Sequence, residues 1–281
     1  MKQSVGRLRH KASHFLKLYS EAYDSPFDTR CRFVASVTRK WKKWVGVSCS
    51  HGSDIDPKAR EAFLTFLDRY KPEQRIHLGD AIDLACLRAG ARRDPDEPDR
   101  AQSLMDDLLA GLSFLHEIRP TLYFHGNHEN RAVGLAHSGN QIVAYAASQV
   151  MAKIHDGLAK YKTQIVPYKG MLRESVRHIG GTAFLHGALF NVSAARDTAE
   201  TVGTHCVFGH THRVSVEPAR THADAIGYNI GCLARLDMEY AAGRRQTLAW
   251  RHGFAFGEYL PDATGCTVNM VTLSPHYRLP L

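Results

Sequence analysis

Residues 76–83 read IHLGDAID. Ile76, His77 and Leu78 form a short run suited to a buried strand, and Gly79 then hands on two carboxylates, Asp80 and Asp83. Outward from this stretch the same grammar recurs. Trp44–Val47, Leu122–Phe124, Ala183–Leu185 and Cys206–Phe208 are apolar runs of strand length, and each stops at polar residues. Their ends deliver Cys49-Ser50-His51, Gly126-Asn127-His128-Glu129, His186-Gly187 and Gly209-His210-Thr211-His212. Helical stretches separate several of them: Pro57–Tyr70, with Asp56 as N-cap and proline at the first position, Pro98–Ile118 and Gln141–Tyr161. Strand–helix alternation of this kind predicts an α/β domain. Ala225–Ile230, Thr247–Arg251, Phe254–Leu260 and Thr267–Leu273 are further strand-like runs, which predicts a second sheet in the last third.

Composition narrows the setting. The chain has 281 residues, 44% hydrophobic and 23% charged, enough for one large core and ordinary for a globular protein. No stretch reads as a signal peptide or membrane span, because the longest charge-free segment, 132–152, is broken by His137, Ser138, Gly139, Asn140 and Gln141. The six cysteines are scattered, with no CxxC pair, so free thiols in a reducing cytoplasm are expected. Residues 1–43 hold eleven Lys/Arg and three acids, a net of +8, while the remaining 25 basic and 25 acidic residues cancel. The spacing of apolar residues over 4–23 predicts that this basic arm is helical in part. The expected organisation is an arm over 1–43 and an α/β domain over 44–281, with a helical insert at 132–168.

Strand ends on one edge of an α/β sheet converge, and ligands bind there. Convergence of these five would bring together four histidines, a carboxylate, an amide oxygen and a thiol. That set suffices for two divalent cations with one carboxylate to bridge them.

The series GDxxD, GNHE, HG and GHTH, in this order from about Trp44 to Cys232, resembles the calcineurin-like metallophosphoesterase family. The resemblance implies a four-layer α/β/β/α sandwich of two mixed sheets flanked by helices. It implies a hydrolase of phosphate esters, phosphodiesterase or phosphatase, working through two metal ions and a bridging hydroxide, with manganese first and zinc or iron as alternatives. Carried onto this chain, Asp80 bridges the metals. His51 and His212 serve one, and Asn127, His186 and His210 serve the other. His128 faces the scissile phosphate and protonates the leaving oxygen, oriented by Asp83, and Arg131 is placed to reach a substrate phosphate.

One position departs from the family. Its first strand ends in Asp-x-His, and here Cys49-Ser50-His51 stands instead. A Cys49 thiolate would be a softer ligand favouring zinc or iron; alternatively Cys49 is an apolar plug, with water, Asp54 or Asp56 completing the shell. Leu84 after GDxxD, where the phosphoprotein phosphatases of the family carry arginine, disfavours that branch. The basic arm keeps nuclease action on DNA or RNA open, since clustered Lys/Arg grips a phosphate backbone; a solvated helix face is the plainer reading. A metal-binding scaffold without activity is the remaining alternative. His77 and His125, inside strands, are expected in the core.

Overall fold

The computed structural model describes residues 40–87, 100–222, 224–238, 245–273 and 279–280. The arm's helix over 4–23, Cys31 and the first residues of the helix expected at Pro98 lie outside these.

The predicted strands form as β1 (Lys42–Val47), β2 (Gln74–His77), β3 (Leu122–Phe124), β6 (Thr182–Phe184) and β7 (Cys206–Phe208), joined by β4 (Gln164–Val166) and β5 (Arg177–Ile179). After them come β8 (Val214–Pro218), β9 (Ile226–Ile230), β10 (Gly253–Tyr259) and β11 (Asn269–Thr272). The helices are α1 (Pro57–Tyr70), α2 (Arg100–Ile118), α3 (Asn127–Leu135), α4 (Gln141–Ala159) and α5 (Ala194–Val202). α1 starts where its sequence says it should: the Asp56 side chain accepts from the Ala59 N–H and Pro57 needs no donor partner.

Two mixed sheets result. One runs β11-β10-β1-β2-β3-β4, parallel from β1 to β4; the other runs β5-β6-β7-β9-β8, with β6, β7 and β9 parallel. Alternation along the strands sends side chains to two different layers. Trp44, Ile76, Leu78, Leu122 and Phe124 meet Phe184, Val207 and Ile230 between the sheets. Val45, Val47 and Tyr123 pack outward against Phe63 and Phe66 of α1, Phe114 and Leu115 of α2 and Ile154 of α4. Across the molecule, Leu185, Cys206 and Phe208 pack against Ala195 and Ala199 of α5. The layering is α/β/β/α, and Lys40–Leu281 forms one unit.

Four expectations change. β10 and β11 join the first sheet instead of making a second one, because β10 pairs antiparallel with the free edge of β1, Lys42 opposite Tyr259. Thr247–Arg251 is not a strand: Arg245–Ala249 forms a 3-10 turn, and only isolated bridges tie Trp250 to Arg213 and His252 to Cys232. Lys42 and Lys43 are residues of β1 and not of the arm. The segment 132–168 supplies the helix α4, yet Gln164–Val166 inside it is β4, paired with β3; three residues are too few for a legible alternation. None of the described helices is long and apolar enough to cross a membrane.

Candidate metal centre

Five parallel strands, three in one sheet and two in the other, release their chains toward one place. The loops are sewn together by backbone hydrogen bonds: Cys49 N–H to the Gly79 carbonyl at 2.9 Å, His51 N–H to that of Asp80 at 3.0 Å, and Gly209 N–H to that of His186 at 3.0 Å. Close approach dictates two glycines. A Cβ on Gly126 would stand 2.0 Å from Asp80 Oδ1, and one on Gly79, at φ +99°, would meet Gly126 N at 2.6 Å and His186 Nδ1 at 2.8 Å. Cys49, His51, Asp80, His210 and His212 themselves adopt left-handed backbone, φ between 52° and 66°. Such conformations cost about 1–2 kcal/mol each for residues with a Cβ, and they cluster where geometry serves a site.

The side chains then form an ordered set. His186 donates Nδ1–H to the Leu78 carbonyl at 2.7 Å, so its Nε2 points to Asp80 Oδ2 at 3.2 Å and Asn127 Oδ1 at 3.1 Å. His51 turns Nδ1 to Asp83 Oδ1 at 2.9 Å, leaving Nε2 facing His212 Nε2 at 3.0 Å. His128 turns Nδ1 to the Asp83 carbonyl at 2.7 Å and to Oδ1 of the same residue at 3.1 Å; its Nε2 lies 3.8 Å from Asp80 Oδ2. His210 Nδ1 is 2.9 Å from Asn127 Oδ1. Three imidazoles therefore spend one nitrogen on a fixed acceptor and present the other inward, the arrangement that orients metal ligands.

This donor set fits cations. A neutral His186 would aim a lone pair at two oxygens. If His212 gives its Nε2–H to His51, the buried His212 Nδ1 is left with no partner among the described residues, a deficit that a positive ion removes. Burial keeps His212 far below the ordinary histidine range and holds His210 at about 4, so both are neutral and able to ligate. Burial would also lower His186 and His128, but the Asp80 carboxylate, joined by the Leu78 carbonyl at His186 and by Asp83 at His128, raises both. Burial works against ionised Asp80 and Asp83 as well, and the surrounding histidines nevertheless hold both well below the carboxylate range.

Cys49 is buried at the middle of the set. Its Sγ, His51 and His212 offer ligand atoms all within 4.8 Å of one another, and the same holds for Cys49, Asp80 and His186. It also touches an apolar cluster with Cys232, Ala234 and Met238, and Ser48 Oγ lies 3.2 Å away. Arg131 Nη1 donates to the Asp83 carbonyl at 3.2 Å and lines the cleft above Asp80. That cleft holds about 360 Å3.

Further residues support the site. Glu129, on α3, accepts from the N–H groups of Asp80, Ala81, Ile82 and Gly126 at 2.7–3.3 Å and from the Tyr123 hydroxyl at 2.9 Å. Asp107, on α2, accepts from the N–H groups of Ser53, Asp83 and Leu84 at 2.7–3.3 Å. The Asn229 side chain is hydrogen-bonded to Thr211, between the two histidines of GHTH. Arg213, Phe190 and Trp250 complete the cleft wall. Glu129 carried a local signal in the capping spacing Gly126-x-x-Glu129 and Asn229 in its place at the end of the strand-like run 225–230; Asp107, Arg213, Phe190 and Trp250 carried none. His77 sits outside the set: it accepts from Gly79 N–H at Nδ1, faces Ser50 Oγ at 3.0 Å, and is lowered to about 3 by burial. His125 packs on His155, ring centroids 5.5 Å apart.

No family model matches this chain, and no curated protein does. Solved structures do. A metallophosphoesterase from Sphaerobacter thermophilus is 16% identical over 83% of this chain and 88% of its own, with a TM-score of 0.41. The phosphoesterase Yfce from E. coli is 14% identical over 83% of this chain and 100% of its own, with a TM-score of 0.37. Phosphoesterases are thus among the solved structures it resembles. Vps29 from Chaetomium thermophilum is another, 14% identical over 82% of this chain and 97% of its own, with a TM-score of 0.37. What the site does is set by its own side chains.

Proposed function

We propose that the chain is a metal-dependent hydrolase of phosphate esters. The observation that carries this reading is the set of imidazoles with inward nitrogens around the buried Asp80 carboxylate, beside a cleft that reaches solvent. Asp80 would be shared between two divalent cations, His51, His212 and Cys49 holding one, and Asn127, His186 and His210 the other. Bound there, such ions acidify water and neutralise phosphate oxygens. A cysteine donor favours zinc or iron over manganese at its position.

The rest belongs to the protein's own groups. His128 is fixed through Nδ1 by Asp83, so any proton on Nε2 faces the centre, where an ester's leaving oxygen would take it. Asp83 holds His51 and His128 at once, coupling the orientation of a ligand to that of the acid. Arg131 stands where it can bind a phosphate oxygen. In this assignment His128 is a proton donor beside the ligands and not one of them, which favours an enzyme over a scaffold.

The test is an assay of an aryl phosphomonoester and an aryl phosphodiester with manganese, zinc or iron, alongside elemental analysis of protein purified without chelator. Bound metal and hydrolysis of at least one ester are expected. Protein that neither retains metal nor is activated by any of the three would overturn the reading.

A further inference from the structure

The cleft above Asp80 has a second, chemically different end. Phe190 and Trp250 wall it, with Arg213 between them. Phe190 is 69% exposed, a large apolar ring held in water beside a polar centre. Trp250 is half-buried, its ring centroid 4.4 Å from that of His212. The two aromatic residues come from distant parts of the chain and are tied together by Arg213. Its backbone bridges that of Trp250, and its guanidinium Nη2 donates to the Phe190 carbonyl at 3.1 Å and to that of Asn191. The Arg251 N–H fixes the turn by donating to the His212 carbonyl at 2.8 Å. Aromatic rings, a guanidinium and a phosphate-type centre thus share one cleft of about 360 Å3, within the usual range of small-ligand sites.

We propose that this end is a base subsite: the substrate is a nucleoside phosphodiester whose nucleobase stacks against Phe190 and Trp250 while its phosphate lies over Asp80. The proposal rests on the hydrolase reading for what happens to the phosphate, and on the cleft alone for binding. The alternative aromatic ligand, an aryl phosphate such as phosphotyrosine, carries its ring directly on the leaving oxygen, so the ring would go toward His128. The aromatic wall lies elsewhere. His128 packs on His51 at 4.6 Å between centroids, His51 on His212 at 4.9 Å, and only then comes Trp250. Two imidazoles separate the wall from the proton donor, so the ring seated there belongs to the group that stays on phosphorus. The nucleoside of such a diester meets that requirement: water adds to phosphorus, the second ester oxygen leaves with a proton from His128, sugar and base remain on the phosphate, and every base offers a flat face for stacking whatever its sequence.

Calorimetric titration of the full chain with manganese tests this without requiring turnover. AMP and ribose 5-phosphate differ only by the base. AMP is expected to bind about tenfold or more tightly, the scale of one base–aromatic stack. Phe190→Ala, at an exposed position where folding is not at stake, should bring the ratio toward one, and Phe190→Tyr should preserve it. Equal affinities in the native protein, or a ratio that Phe190→Ala leaves intact, would overturn the proposal. So would phenyl phosphate binding as tightly as AMP with the same dependence on Phe190. A base preference without hydrolysis of any ester would leave the subsite standing and remove the hydrolase; hydrolysis without base preference would do the reverse.

Discussion

His128 and Cys49 are the residues whose side chains separate the readings most sharply. His128 gives one nitrogen to Asp83 and takes no part in the two ligand sets, so His128→Ala should leave metal content unchanged while lowering turnover of an aryl phosphodiester by about 10²–10⁴-fold, the usual worth of a positioned acid. Elemental analysis and kinetics on one preparation decide it, and unchanged turnover would remove the role. Cys49 stands within 4.8 Å of ligand atoms on both sides of the centre, yet its sulfur also belongs to a small apolar cluster. Cys49→Asp introduces a harder carboxylate, and competition between zinc and manganese should move toward manganese by roughly tenfold if the sulfur ligates. An unmoved preference would make Cys49 a packing residue. Its presence at a strand end was plain in the sequence; that its sulfur sits amid His51, His212, Asp80 and His186 was not, because those residues are up to 163 positions away.

At the scale of elements, two helices hold the loops through single carboxylates. α3 does so through Glu129, which satisfies four backbone N–H groups of the loops after β2 and β3. Glu129→Gln turns a donor toward these donors, and the expected loss is about 2–4 kcal/mol, seen as a thermal midpoint lower by roughly 5–10 °C. A midpoint within a degree of the native one would show that the loops hold themselves. α2 acts through Asp107, whose carboxyl is pushed up to about 6 by burial against the N–H groups that stabilise its charge. A carboxyl raised in the folded state keeps its proton preferentially when folded, so its stabilisation is present below about pH 4 and lost as pH rises through 6. With about two pKa units between the states, some 2–3 kcal/mol separates the ends of that window. Asp107→Asn should therefore be most destabilising near pH 4 and least near pH 7, as read from urea unfolding at both; a difference independent of pH would contradict the shift. The helix α2 was legible from its periodicity, its grip on the loops after β1 and β2 was not, since nothing local marks which acidic residue turns inward.

For the whole molecule, the unit Lys40–Leu281 contains the candidate centre and both sheets. Residues 1–39 carry eight Lys/Arg against three acids, a net of +5. If they grip nucleic acid, removing them should weaken DNA or RNA binding and flatten its salt dependence; equal binding by the shortened chain would assign that charge to solvent. What the sequence determined by itself is what local rules can carry: the order of strands and helices from periods of two and 3.6, and the donor types at five strand ends from their chemistry. Tertiary structure alone decided the rest: that β10 closes the edge of β1, that Asp107 anchors the loops after β1 and β2, and that Phe190, Arg213 and Trp250 meet in one cleft. Those choices depend on which surfaces touch after two sheets pack face to face, and contacts between residues far apart in the chain leave no periodic trace in either partner.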